Sequence, residues 1–139
     1  MGFALPGAIA ASIVHPDRRI LAIAGDAGFL MNVQEMETAT RLGSNIVVMV
    51  WADNEYGLIA WKQETHFGRH TDLAFGNPDW LLLAKAFGWQ GHYVQNSADL
   101  EDELETAFNE VGPSLVVIPI DYRENQLLTK KLGEIQCPI

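Results

Sequence analysis

The stretch Ile20-Leu21-Ala22-Ile23-Ala24-Gly25-Asp26-Ala27-Gly28-Phe29 joins a short apolar run to a single carboxylate among small residues. A run this short and this apolar is typical of a buried parallel strand, so we predict a strand over residues 19–24. A second apolar run predicts a strand over residues 45–52, and Asp53 follows it directly. Ligands of open α/β sheets bind outside the carboxyl ends of the strands. We therefore expect the carboxylates of Asp26 and Asp53 at the same edge of a sheet.

Further apolar and amphipathic segments alternate along the chain. The remaining predicted elements are strands at residues 90–95 and 114–120, helices at residues 8–14, 31–42, 79–87 and 100–108, a helix that starts at residues 57–61, and a candidate helix at residues 126–132. Asn32 is the expected N-cap of its helix, and residues 65–77 are interpreted as an irregular loop. Strands alternating with helices at these lengths predict an α/β fold, a parallel sheet with helices on both faces.

The composition limits the kinds of protein that this chain can be. With 139 residues, 48% of them hydrophobic and 19% charged, the chain can bury one core. Its 18 acidic and 9 basic residues give a formal charge of −9, which opposes binding to nucleic acid or to an anionic membrane. The single cysteine, Cys137, cannot form an internal disulfide. Without a signal-peptide pattern or an apolar run near the ~20 residues that span a bilayer, we expect a cytoplasmic protein.

Asp26 and Asp53 are candidate ligands of a hard cation such as Mg²⁺, which binds oxygen atoms. The residues around Asp26 are small and let an anion approach the backbone closely: Gly25, Ala27 and Gly28. A helix that begins near residues 31–33 would direct its free N–H groups at that anion. The combination predicts a magnesium–diphosphate site. The lysine of a phosphate-binding P-loop is missing, which argues against an ordinary nucleoside triphosphatase. Taken alone, Asp53-Asn54 after a strand is also a common turn.

These residues also resemble a known signature. Thiamine-diphosphate enzymes carry a motif that opens with Gly-Asp-Gly and closes with Asn-Asn, and this chain has Gly25-Asp26-Ala27 and later Ala52-Asp53, followed by Asn54-Glu55-Tyr56-Gly57. Three other segments look like the C-terminal domain of acetolactate synthase, most of all the catabolic type: Leu5-Pro6-Gly7-Ala8-Ile9, Glu35-Met36-Glu37-Thr38-Ala39 with Arg41-Leu42, and Ile118-Pro119-Ile120-Asp121-Tyr122-Arg123. The resemblance covers nearly the whole chain.

The resemblance implies a thiamine-diphosphate-binding fold and a role for each residue of the site. Mg²⁺ would bind the side chains of Asp26 and Asp53 and the backbone carbonyl of Glu55, with diphosphate oxygens and a water completing the coordination. Gly25, Ala27 and Gly28 would approach the diphosphate. Met1 would lie between the two rings of the cofactor and force a bent conformation, and the residues near the aminopyrimidine would be Tyr56, Gly57 and Leu58. The glutamate that activates the cofactor is expected on a missing domain of a partner subunit, so no catalytic residue is assigned to this chain.

The implied activity of the full-length protein is acetolactate synthesis, the condensation of two pyruvates to 2-acetolactate with loss of CO₂. Biosynthetic members usually have a tryptophan where this chain has Lys62, with Trp61 next to it, and this difference favours pyruvate as both substrates. We expect residues 1–139 to be an incomplete C-terminal domain of a three-domain chain that forms a homodimer or homotetramer, and we expect the isolated chain to be inactive. Two alternatives stay open. One is another thiamine-diphosphate 2-oxoacid decarboxylase, oxidase or carboligase, and the other is a non-catalytic binding or assembly module.

His66 and His70 are spaced like a metal-binding pair on a helix. Because Gly68 lies between them and argues against a helix there, we expect both to be solvated loop residues. A loop of this kind can also be mobile and cover an active site.

Overall fold

Four apolar runs pair into one parallel sheet in the structure, a computed structural model that describes residues 1–124, 127 and 131. The strands are β1 (Ile20–Gly25), β2 (Ile46–Ala52), β3 (Gln90–Tyr93) and β4 (Ser114–Pro119). Their order across the sheet is β1-β2-β4-β3, and each neighbouring pair is parallel. The predicted α/β fold is therefore confirmed. Cys137 and most of the candidate helix at residues 126–132 lie outside the described residues.

Helices pack against both faces of the sheet, as predicted. They are α1 (Ala4–Val14), α2 (Asp26–Leu30), α3 (Glu35–Leu42), α4 (Gly57–Phe67), α5 (Trp80–Ala86) and α6 (Leu100–Asn109). On one face, α1, α2, α3 and α5 bury a core that includes Phe29, Met36 and Trp80. On the other face, α6 packs Ala107 against Val47 and Val116. The longest of these helices has 11 residues, and none in the described part of the chain is long and apolar enough to cross a membrane.

The pairing of β1 with β2 brings the two candidate loops together. The two strands run in parallel with Ile20 opposite Ile46 and Gly25 opposite Trp51. Since the strands end side by side, the segments that begin at Asp26 and Asp53 leave the sheet at the same carboxyl edge. β2 is an interior strand whose first five residues are all buried, which fixes the position of its carboxyl end firmly.

The predicted helix over residues 31–42 is wrong in its start. A short helix, α2, begins at Asp26, and α3 begins only at Glu35 after a segment of turns. α2 forms because Phe29 is buried against the ring of Trp80, at a centroid distance of 6.0 Å, and this long-range contact has no local sequence signal. Asn32 does not cap α3, since its side-chain amide donates to the carbonyl of Gly2 instead.

The predicted irregular loop over residues 65–77 is shorter than expected. α4 continues to Phe67 and ends at Gly68, which adopts the left-handed conformation with φ of 67°. Residues 68–77, called the return loop below, then run back along the turn that follows β2. The N–H of Tyr56 donates to the carbonyl of Leu73 (3.1 Å), and the N–H of Phe75 donates to the carbonyl of Asn54 (2.9 Å). These bonds form a short antiparallel contact between the two segments.

Candidate metal and cofactor site

A cleft of about 730 Å³ opens at the carboxyl edge of the sheet. All ten residues predicted to bind cofactor or metal line it: Met1, Gly25, Asp26, Ala27, Gly28, Asp53, Glu55, Tyr56, Gly57 and Leu58. They come from the start of the chain, from the end of β1 and the beginning of α2, from the turn after β2 and from the first turn of α4. The fold therefore assembles the predicted set in one place, and the part that each residue plays in binding stays a prediction.

Asp26 is the most tightly held carboxylate of the cleft, with only 1% of its surface exposed. Its Oδ1 accepts a hydrogen bond from its neighbour Ala27 N (2.7 Å). Its Oδ2 accepts from the backbone N–H groups of Asp53 (3.1 Å) and Asn54 (2.9 Å) and from Nδ2 of Asn77 (2.6 Å). A buried carboxylate requires such donors because it has lost its water. These contacts also tie the end of β1 to the turn after β2.

The carboxyl group of Asp53 lies beside that of Asp26 and is less buried. Burial raises the pKa of Asp53, and the negative charge of Asp26 raises it further. The backbone N–H of Glu55 donates to Oδ1 of Asp53 at 3.4 Å. Two neighbouring carboxylates repel each other when both are ionised, and a divalent cation bound by both removes that repulsion. The arrangement is therefore suited to hold a hard cation.

Glycine leaves room at three points of the cleft. A Cβ atom at Gly57 would lie 2.6 Å from Oδ2 of Asp53, so a side chain there would displace the carboxylate. A Cβ atom at Gly25 or Gly28 would meet no atom within 4 Å, which shows that both backbones border open space. A ligand can approach these backbones more closely than it could approach a larger residue.

Glu55 lies in the turn after β2 and lines the cleft, and its side chain is paired with His70. Asn54 adopts the left-handed conformation with φ of 60°, which asparagine tolerates better than most residues. The side chain of Glu55 contacts Nε2 of His70 (3.2 Å). Among the described residues, no group of three or more His, Cys, Asp or Glu side chains is placed to hold a metal ion. A cation bound here would therefore need backbone, ligand or water oxygens besides the two aspartates.

Both histidines are exposed, as expected, but the expectation that both lie in a loop is wrong for His66. His70 lies in the return loop and lines the cleft, with Nδ1 3.2 Å from Glu64 and Nε2 3.2 Å from Glu55. The return loop folds back onto the turn after β2, and this contact between distant segments brings His70 to two acidic side chains. His66 belongs to α4, and its ring packs edge-on against Phe67. The two histidines do not form a pair.

Sequence reasoning missed several residues of the site. The cleft is also lined by Trp51, Ile59, Ala60, Trp61, Glu64, His70, Ile120, Asp121, Tyr122 and Arg123. Helical spacing from Gly57 would have found Trp61 and Glu64, which lie on the same face of α4. Burial raises the pKa of Tyr122, and the charges of the two aspartates raise it further. Asn77, which bonds Asp26, has no local signal.

Comparisons with known proteins show which sequences this chain resembles. The family described as thiamine pyrophosphate enzyme, C-terminal TPP binding domain, matches residues 1–118. The chain is 42% identical to the catabolic acetolactate synthase of Raoultella terrigena, over 95% of this chain and 24% of that protein. It is 38% identical to the acetolactate synthase of Bacillus subtilis, over 97% of this chain and 25% of that protein. The chain thus spans about a quarter of the length of these curated relatives.

Proposed function

This chain belongs to the family of C-terminal TPP-binding domains of thiamine pyrophosphate enzymes, and from that premise we propose that its cleft holds the diphosphate of thiamine diphosphate through a magnesium ion. The ligands from this chain are the side chains of Asp26 and Asp53 and the backbone carbonyl of Glu55. The observation that carries the proposal is the pair of adjacent carboxylates at the ends of two neighbouring parallel strands. That edge of the sheet is where α/β folds bind their ligands.

The residues present fit such a group. A cation would offset the repulsion between the buried carboxyl group of Asp26 and the partly buried one of Asp53. Gly25 and Gly28 border open space and leave their backbones free to approach phosphate oxygens. Further along the cleft, Met1 and Leu58 are apolar and exposed, and they supply a surface on which the cofactor's rings can pack.

We propose further that the parent protein is an acetolactate synthase that condenses two pyruvates to 2-acetolactate with release of CO₂. Bound thiamine diphosphate supplies the electron sink for the loss of CO₂ from a 2-oxoacid. The identity to two acetolactate synthases supports this assignment. Those relatives are about four times as long as this chain, which supports the proposal that the activating glutamate and two further domains lie elsewhere in the protein. A cytoplasmic homodimer or homotetramer remains part of the proposal.

Calorimetric titration tests the binding part of the proposal. Thiamine diphosphate titrated into the purified chain in the presence of Mg²⁺ is expected to release heat, and an Asp26→Ala variant is expected to lose most of that signal. A thermal melt of each protein controls for folding. No heat with the folded wild-type chain would contradict cofactor binding and would favour a non-catalytic assembly module.

Product analysis of the full-length enzyme tests the activity. With pyruvate as the only substrate, acetolactate is the expected product. Acetaldehyde or acetyl phosphate would instead assign the protein to a decarboxylase or oxidase of the same superfamily. The isolated chain is expected to show no turnover, because the activating glutamate is supplied by another domain.

A further inference from the structure

Asn77 contacts both loops of the candidate metal site although it lies 51 residues beyond Asp26 in the chain. Its Nδ2 donates to Oδ2 of Asp26 at 2.6 Å and to Oδ1 of Asn54 at 2.9 Å. The amide must point this way, since its oxygen placed against a carboxylate would be repelled. One side chain from the return loop therefore links the end of β1 to the turn after β2.

The hydrogen bonds of Asp26 are divided unequally between its two oxygens. Oδ2 has three donors from the described residues, and Asn77 is the only side chain among them. Oδ1 has one donor, the N–H of Ala27. A carboxylate oxygen has room for about two hydrogen bonds in its plane. Oδ2 is thus fully engaged by the protein, and Oδ1 is the oxygen with capacity left for a cation.

We propose, building on the cation site assigned above, that Asn77 is a positioning residue for the metal. It fixes the rotation of the Asp26 carboxylate so that Oδ2 stays bound to the protein and Oδ1 contacts the ion. Hydrogen-bond partners of metal ligands orient those ligands and commonly change metal affinity when they are removed.

Two elements hold Asn77 in place for this role. On its amino-terminal side, the return loop is paired with the turn after β2, and the rings of Tyr56 and Phe75 lie 5.2 Å apart. On its carboxyl-terminal side, α5 begins at once and buries Trp80 against Phe29 of α2, the helix that starts with Asp26. The positions of Asn77 and Asp26 are therefore fixed relative to each other through the core.

The side-chain oxygen of Asn77 is evidence that this residue does more than stabilise the fold. Oδ1 of Asn77 is buried and has no hydrogen-bond partner among the residues that the structure describes. An unpaired buried acceptor lowers stability, so folding alone does not favour asparagine here. An aspartate would remove the donor and add a third negative charge, and leucine would remove the donor. Of these side chains, asparagine alone gives Asp26 a donor without adding charge.

The test compares Asn77→Leu with Thr40→Val in the purified chain. Both replace a polar side chain by an apolar one of similar size. Oγ1 of Thr40 accepts a hydrogen bond from Nε1 of Trp89, and Thr40 lies outside the cleft. Thr40→Val therefore measures the effect of losing side-chain hydrogen bonds on stability without a change at the metal site. The probe is Mn²⁺, titrated alone and with thiamine diphosphate, and free Mn²⁺ is measured by electron paramagnetic resonance below the unfolding temperature of each protein.

The expected result is Mn²⁺ binding at least about tenfold weaker in Asn77→Leu and unchanged in Thr40→Val. The spectrum of the remaining bound Mn²⁺ should also change in Asn77→Leu alone, because the ligand oxygen has turned. Equal Mn²⁺ affinity and an unchanged spectrum in Asn77→Leu would overturn the role of Asn77 and leave the cation site standing. Equally weakened Mn²⁺ binding in both variants would show that Asn77 affects binding only through the stability of the fold, and this result would also overturn its positioning role. A wild-type chain that binds no Mn²⁺ would overturn the cation site and this role together.

Discussion

Asp53 is the residue at which the stability of the chain and its proposed function oppose each other. Its pKa is raised in the folded state, chiefly by burial and then by the charge of Asp26. The folded chain therefore holds this proton more tightly than the unfolded chain does. The contribution of Asp53 to stability is most favourable below the ordinary pKa of 3.8, falls as the pH rises through the raised pKa, and stays reduced at neutral pH.

Asp53→Asn is expected to raise the melting temperature of the metal-free chain at pH 7. The amide is neutral and removes the repulsion from Asp26, and a shift of about 1–4 °C is expected for a partly exposed, solvent-screened group. Melts in EDTA from pH 7 downward are the measurement, and the difference from wild type should shrink toward pH 3.8. An equal melting temperature of the two proteins at every pH would mean that the two carboxylates do not repel each other.

Gly57 permits the position of the Asp53 carboxylate. In Gly57→Ala the new Cβ would lie 2.6 Å from Oδ2 of Asp53 and would turn that carboxylate aside. Because alanine favours the helix that begins here, we expect stability to change by no more than about 1 kcal/mol, whereas Mn²⁺ affinity falls about tenfold. Gly76→Ala is the matched control, since a Cβ there meets no atom within 4 Å. Titration and melts of both variants measure the two effects, and unchanged affinity in Gly57→Ala would contradict this account.

Among the secondary-structure elements, the strands were predictable and the segments that close the site were not. The predicted strands at residues 19–24 and 114–120 agree with β1 and β4 to within one residue at each end. A short continuous run of apolar residues indicates a buried strand without any knowledge of its distant contacts. The positions of the Asp26 and Asp53 carboxylates followed from the predicted ends of β1 and β2. The short helix α2 and the return loop depend on contacts between distant residues, which is why the contact of Asn77 with Asp26 and the contacts of His70 with Glu55 and Glu64 were not predicted.

α4 is the element in which ligand binding should be easiest to detect. Ala60 is its only buried residue, so few apolar contacts hold the helix against the rest of the chain. We expect its amide hydrogens to exchange much faster than those of β2, and to slow by at least about tenfold when Mg²⁺ and thiamine diphosphate bind. Hydrogen exchange followed by mass spectrometry resolves the two segments, and α5 serves as an internal reference. Strong protection of α4 without any ligand would contradict this expectation.

The molecule separates the interactions that stabilise it from those proposed to bind ligand. At the amino edge of the sheet, the half-buried side chain of Arg19 donates to Asn45, to Ser114 and to the carbonyl of Gly112, and so joins the starts of β1, β2 and β4. Nearby, His92 lies between Glu103 and Glu110. The carboxyl edge instead carries two carboxylates that oppose each other. The fold can support that unfavourable pair because the opposite edge is tied together by the Arg19 network.

The charge of the chain predicts that a cation must precede or accompany the cofactor. The sequence has a formal charge of −9, and Asp26 and Asp53 add a local negative field where the diphosphate would lie. Thiamine diphosphate alone should therefore be repelled. In EDTA, thiamine diphosphate is expected to leave the melting temperature unchanged. With excess Mg²⁺, thiamine diphosphate at about 100 times its own dissociation constant should add about 2.7 kcal/mol to the free energy of unfolding. Thiamine, which lacks the diphosphate, should have little effect in either buffer and is the matched control. If thiamine diphosphate stabilised the chain equally in EDTA, the diphosphate would be held by the protein directly, and the two aspartates would need another explanation.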